Sequence, residues 1–256
     1  MNPNLMAARE AYRAGDYDAA LALGQQLLYG LTASASNPSA DIEPLEVWLL
    51  LAAIWQAQKF DFEAEIAYRK ASQLLPERVD IRLNLAMAMA RTGLVAESEQ
   101  MILEIIGRLP TNVQANLTML EFYHLCKRYA DVVNAGESML AAGLDYIEIR
   151  HAIGKAQYSA KRYKEALSTF QSALVLAPKN MEILYDTASA AIRVGAKENA
   201  IGYLQRILGA QPNHLKALLK MVALKKSSGD TAEADLYYHR ALQIRQKGGG
   251  KGGIAA

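Results

Sequence analysis

Residues 161–178 read Lys-Arg-Tyr-Lys-Glu-Ala-Leu-Ser-Thr-Phe-Gln-Ser-Ala-Leu-Val-Leu-Ala-Pro. Tyr163, Ala166, Phe170, Ala173 and Pro178 stand in it at fixed offsets. Thirty-four residues further on, Ala200, Leu204, Ile207 and Pro212 take the same places, and 34 residues earlier Val132, Gly136, Met139 and Leu144 do. A fixed period of this length is the mark of a solenoid, in which each unit is a supersecondary element that buries its apolar face on the next.

From residue 45 onward the phase never slips. The small residue that opens each second helix falls at Ala64, Ser98, Val132, Ala166, Ala200 and Ala234, each 34 residues from the last. The bulky place four residues later holds Tyr68, Ile102, Gly136, Phe170, Leu204 and Tyr238. The repeats end on Pro76, Pro110, Leu144, Pro178, Pro212 and Gln246. A small residue lets neighbouring helices approach, a large one fills the groove between them, and proline stops the second helix. Gly93, Gly195 and Gly229 mark the turn within their repeats, and Lys59, Lys127 and Lys161 stand in for glycine elsewhere. In the fourth repeat, Gly136 and Leu144 replace the bulky residue and the proline, which predicts looser packing there.

The first repeat occupies residues 1–30, with Gly15-Asp-Tyr-Asp-Ala-Ala20 as its turn and Asp16 as the cap of its second helix. Residues 31–44 are rich in small, polar and proline residues and read as an inserted loop, because Ala20 to Ala64 spans 44 residues, ten more than the period. Six consecutive 34-residue repeats fill 45–247, and 248–256 is a glycine-rich tail expected to be flexible.

The pattern resembles the tetratricopeptide repeat family. The likeness rests on Leu51-Ala52, Leu85-Ala86, Met119-Leu120 and Ile153-Gly154 in the first helices, on Tyr17, Tyr129 and Tyr163 at the turns, and on the alanine–aromatic–alanine–proline offsets above. It covers nearly the whole chain as seven repeats. It implies an all-α fold, a right-handed superhelical solenoid of antiparallel helix pairs, whose concave groove is lined by the first helix of each pair. The groove positions that the resemblance implies are Arg9, Tyr12, Arg13, Gln56, Asn84, Met87, Arg91, Thr118, Glu121, His124, His151, Lys155, Tyr158, Tyr185, Asp186, Ser189, Arg193, Lys216, Lys220 and Lys226. Members that clamp the carboxylate end of heat-shock chaperones carry Lys and Asn, then Asn, then Lys and Arg on three successive first helices. No three consecutive repeats here supply that set, and Lys216 with Lys220 comes nearest.

A search for chemistry returns little. The four histidines His124, His151, His214 and His239 form no H-E-x-x-H, and the single cysteine, Cys126, has no C-x-x-C partner and reads as a small core residue. His124 and His151 are expected on neighbouring first helices as groove-lining polar residues; no metal or cofactor is expected. There is no phosphate-binding glycine loop and no G-x-S-x-G. The Asn116-Leu-Thr118 sequon falls inside a predicted helix. A lone cysteine, the absence of an apolar leader and a longest apolar run of nine residues (Val47 to Trp55) point to the cytoplasm, without membrane insertion. With 28 Lys+Arg against 26 Asp+Glu there is no global field to draw nucleic acid.

The expectation is a non-enzymatic interaction scaffold, adaptor or assembly chaperone that holds a peptide or helical segment of one or more partner proteins in the groove. Two alternatives stand beside it. One is a self-associating structural protein joined through the uncapped seventh repeat, where Leu236, Tyr237, Leu242 and Ile244 are available. The other is a regulatory subunit that recruits substrates to a separate enzyme.

Overall fold

The computed structural model describes residues 2–33 and 43–249; the middle of the expected insertion and the end of the expected tail lie outside the described residues. Fourteen α-helices and no strand occur among the described residues. The first compact unit, residues 1–127, carries α1 (Pro3–Ala14), α2 (Tyr17–Ala33), α3 (Pro44–Gln58), α4 (Asp61–Leu74), α5 (Val79–Thr92), α6 (Val95–Arg108) and α7 (Val113–Leu125). The second, residues 128–256, carries α8 (Tyr129–Ala141), α9 (Ile147–Ser159), α10 (Tyr163–Leu176), α11 (Met181–Arg193), α12 (Lys197–Ala210), α13 (Leu215–Ser227) and α14 (Thr231–Gly249). Within each unit, every helix packs on the one before and the one after it.

The turns inside the helix pairs follow one rule. Gly15, Gly93, Gly195 and Gly229 have φ between 79° and 99°, and Lys59, Lys127 and Lys161 have φ of 67°, 58° and 63° at the equivalent places. All seven are therefore left-handed, the conformation that ends a helix and turns the chain back. The following N–H then reaches over the turn to an earlier carbonyl, as in Phe60 to Trp55 (2.9 Å), Leu94 to Met89 (2.9 Å) and Arg162 to Gln157 (2.8 Å). The second helices end differently. Leu75, Leu109, Ala177 and Gln211 sit at φ near −130° and ψ between 69° and 85°, each directly before a proline, whose ring excludes helical backbone from the residue ahead of it. In the fourth repeat, where Leu144 replaces that proline, Gly143 ends the helix at φ 87° instead.

Side-chain caps hold several helix starts. Asp16 Oδ1 accepts from the Ala19 N–H at 3.1 Å, as the sequence predicts. Asn112 and Asn180 cap α7 and α11. His214 caps α13 through Nδ1, which accepts the Ala217 N–H at 3.1 Å.

The core is built at the predicted positions. Ala64, Ser98, Val132, Ala166, Ala200 and Ala234 are all buried, as are Tyr68, Ile102, Phe170 and Leu204. At Gly136 the expected deficit does not leave a hole. A Cβ added there would lie 2.6 Å from Ile153 Cγ1, so Ile153 of α9 occupies the space that a bulky residue fills elsewhere. Gly24 holds the same place in the first repeat, and there Leu51 of α3 comes within 2.7 Å of an added Cβ. Gly154 shows the opposite arrangement: its missing side chain admits the ring of buried Phe170.

Three further expectations meet their structural setting here. Cys126 is half-buried against the α5–α7 core. Asn116 is buried, and its amide donates to the carbonyls of Pro110 and Asn112, so the sequon offers no free side chain. On α14, Tyr237 and Ile244 pack against the core of their own unit, and the open apolar residues are Leu236 and Tyr238. The self-association surface drawn from Tyr237 and Ile244 is corrected accordingly.

Candidate functional site

In the second unit, the first helices of three successive pairs, α9, α11 and α13, place side chains in mutual contact. His151 on α9 donates through Nε2–H to Asp186 Oδ2 on α11 at 2.7 Å. Lys155, one turn along α9, stands 3.9 Å from Glu182 Oε1. The next interval joins Tyr185 of α11 to Lys220 of α13, whose ammonium lies 4.8 Å from the ring centroid. Tyr185 also lies beside the His214 ring, tilted by 45° with 6.2 Å between centroids. Both cross-helix contacts link residues 35 apart, which is the repeat period plus one.

At the end of α9 and α11 an aromatic cluster forms. Tyr158 packs on Tyr163 with ring centroids 5.1 Å apart. Arg193 lies over the same Tyr163 ring at 4.5 Å and donates to its hydroxyl at 2.7 Å. Tyr163 reads from the sequence as scaffold, yet it is what ties Tyr158 to Arg193. Glu182 is the other residue the sequence reading passed over. It sits four before Asp186, so the two share one helix face, a signal that the sequence does contain.

The electrostatics follow from partial burial. Burial pushes the phenols of Tyr158 and Tyr185 up; the Asp186 carboxylate adds to this at both, while Arg193 pulls Tyr158 back. Both rings are therefore neutral hydrogen-bond donors with an apolar face. Burial pushes the Lys220 ammonium down, and Asp186 opposes that shift. The surface thus offers two aromatic faces, a carboxylate pair and four cationic side chains within three helices. Lys216 is exposed on the first turn of α13, and Ser189 is buried with its hydroxyl on the Tyr185 carbonyl.

The remaining candidates lie in the first unit. Arg9 pairs with Glu46 across α1 and α3 at 3.5 Å and lines an open cleft of about 510 Å³ with Glu43, Leu45, Leu49 and Arg78. Tyr12 packs on Tyr17 at 5.7 Å. Tyr68, a buried core residue, donates to Gln56 Oε1 at 2.9 Å; burial raises its phenol pKa, and the nearby Tyr12 and Arg91 act on it in opposite directions. Arg13, Asn84, Arg91 and Glu121 are exposed on α1, α5, α5 and α7, while His124 is half-buried on α7. Within this unit, the candidates form small local groups rather than one chain of contacts.

The geometry defines a class: helix pairs stacked at a 34-residue period, with a polar and aromatic surface on the first helices. Residues 151–214 match the family model described as tetratricopeptide repeat. The fourteen described helices are consistent with seven tetratricopeptide repeats. A tetratricopeptide repeat protein from Parabacteroides merdae has the same fold, with a TM-score of 0.62 at 14% identity, over 94% of this chain and 91% of that one. YrrB, a TPR protein with an unusual peptide-binding site, matches with a TM-score of 0.54 at 16% identity, over 70% of this chain and 93% of that one. The Vi polysaccharide export protein VexE of Salmonella typhi is 33% identical over 127 residues, which are 47% of this chain and 19% of VexE. This chain therefore spans about a fifth of that curated relative. Tetratricopeptide folds are in general protein–protein interaction scaffolds, typically non-enzymatic. No described helix is long and apolar enough to cross a membrane.

Proposed function

We propose that the chain is a non-enzymatic adaptor that holds a segment of a partner protein along the first helices, with α9, α11 and α13 as the main seat. The observation that carries this is the unbroken run of cross-helix contacts from Lys155 and His151 through Asp186 and Tyr185 to Lys220. Such a run fixes rigid aromatic faces beside charged groups. Aromatic and arginine side chains held in place supply most of the energy in protein interfaces, and flanking charges set the register. The peptide-binding site attributed to YrrB, a protein of the same fold, supports a peptide segment as the ligand. In the first unit, taken by itself, Arg9, Tyr12, Arg13, Asn84, Arg91, Glu121 and His124 are the proposed partner-binding residues.

The test compares two variants of the full chain. Replacing Tyr158, Tyr185 and Arg193 together with alanine removes the anchors. Replacing exposed Val175 on α10 with Asp alters a second helix instead. A partner captured by the native chain and confirmed by direct titration should lose at least tenfold in affinity with the triple variant and keep it with Val175→Asp. Equal affinity for both variants would overturn the assignment of the binding surface.

Self-association is the second reading, and one observation favours it. Tyr238 occupies the bulky position that is buried at Tyr68, Ile102, Phe170 and Leu204, yet it is 43% exposed, and Leu236 beside it is 70% exposed. Another copy seated on α14 would bury both. Light scattering across a concentration series checks this, with Leu236→Lys and Tyr238→Lys expected to restore a monomer.

A further inference from the structure

His151, Glu182 and Asp186 converge in a way that neither sequence spacing nor the adaptor reading accounts for. Their nearest ligand atoms, one from each residue, all lie within 4.8 Å of one another. His151 and Asp186 are largely shielded, with side chains 13% and 27% exposed, whereas Glu182 is open at 68%. The trio spans two helices, so its geometry is fixed by the packing of α9 on α11 and not by one flexible loop. The His151 ring is oriented further by Phe170, whose centroid is 5.7 Å away, and Phe170 is fully buried.

We propose that this trio is a binding site for a divalent transition ion of the zinc class. An imidazole nitrogen with two carboxylates is a borderline ligand set that suits zinc, and three protein ligands leave a fourth position for water or for a side chain of a bound protein. Zinc bonds of about 2.0–2.2 Å place neighbouring ligand atoms roughly 3.4 Å apart. The 2.7 Å between His151 Nε2 and Asp186 Oδ2 must open slightly, and exposed Glu182 is free to swing inward. Without an ion, two carboxylates four residues apart on one helix repel one another, and their existing counter-charges are weak. Lys155 is 3.9 Å from Glu182, with both side chains about half or more exposed, and such a pair contributes little. Lys220 on α13 interacts with Asp186 electrostatically. On coordination through Nε2 the proton that Asp186 now accepts would move to Nδ1, so that a neutral imidazole holds the ion.

The experiment needs no partner, so its outcome is independent of the adaptor reading. Zinc chloride is titrated calorimetrically into the full chain, with magnesium as the control. The expected result is one zinc per chain and no magnesium binding at the same concentrations. His151→Gln and Asp186→Asn should each weaken zinc at least tenfold, as first ligands do. His214→Gln and His239→Gln should change nothing. Circular dichroism checks that the variants fold. If the cross-helix substitutions unfold the chain, Glu182→Gln on the exposed rim serves in their place and should also weaken zinc at least tenfold. No binding by the native chain, or equal binding by folded Glu182→Gln, would overturn the site.

Discussion

Gly154→Ala adds one methyl group, and the structure says which way stability moves. In an exposed helix interior this change stabilises by about 1 kcal/mol, because alanine loses less backbone entropy than glycine. At Gly154 the new Cβ would lie 2.4 Å from Phe170 Cε1, 2.6 Å from Cδ1 and 3.1 Å from Cζ. Carbon atoms rest at about 3.5–4.0 Å, so the ring has to retreat by roughly 1 Å. Phe170 is 1% exposed and belongs to the main core of its unit, which leaves it no room. Overpacking of this kind costs about 1–3 kcal/mol, which exceeds the helix gain. We expect a net loss of about 1 kcal/mol or more, a fall of roughly 2–6 °C in Tm for a chain of this size. Thermal and urea unfolding followed by circular dichroism measure it. Gly202→Ala and Gly209→Ala on α12, where an added Cβ meets nothing within 4 Å, are the controls and should each stabilise. Phe170→Leu should be tolerated better in the Gly154→Ala background than in the native chain. A Gly154→Ala protein that melts above the native one, as the controls do, would refute the packing argument.

Lys161→Gly and Lys59→Gly, both at left-handed turn positions, should stabilise by about 0.5–1 kcal/mol, whereas Gly93→Ala should destabilise by about 1 kcal/mol, again read from unfolding midpoints. Burial opposes ionisation of Glu65, but the Thr92 hydroxyl and Arg69 outweigh it and hold its carboxyl below the usual carboxylate range. Its folded pKa is thus lower than its unfolded one, so its contribution is complete above the ordinary carboxylate pKa and is lost as pH falls through that value towards the folded one. Thr92→Ala should cost about 1–3 kcal/mol at neutral pH and flatten the acid limb of a stability–pH profile. Ser98 is fully buried and donates to the Ala86 carbonyl at 2.7 Å, but alanine stands at its place in five other repeats; Ser98→Ala should change stability by less than about 1.5 kcal/mol, and Ser98→Leu should cost more than about 1 kcal/mol by denaturant titration.

The scaffold was legible because packing repeats. The small and bulky positions, the pre-proline helix ends and even the three lysines in left-handed turns are all local consequences of a 34-residue unit. The candidate site was only partly legible. His151, Lys155, Tyr158, Tyr185, Asp186, Arg193 and Lys220 could be assigned to first helices, but not who touches whom. That depends on how far each helix is rotated and offset against the next. Here the offset makes residues 35 apart meet, so His151 reaches Asp186 and Tyr185 reaches Lys220. Glu182 was missed because nothing about one glutamate on an exposed face marks it until Asp186 is placed beside His151. The filling of Gly136 by Ile153 was missed for the same reason: a gap in one repeat is closed by a residue of the next.

That exchange makes the order of the repeats part of the information in the chain. Gly24 with Leu51 and Gly136 with Ile153 work like matched notches and tongues. The residue equivalent to Ile153 one repeat later is Thr187, which is too small to reach across an empty glycine. Repeats of this chain are therefore not interchangeable bricks. Shuffling or transplanting them would join unmatched edges, leaving a void at one junction and a collision at another.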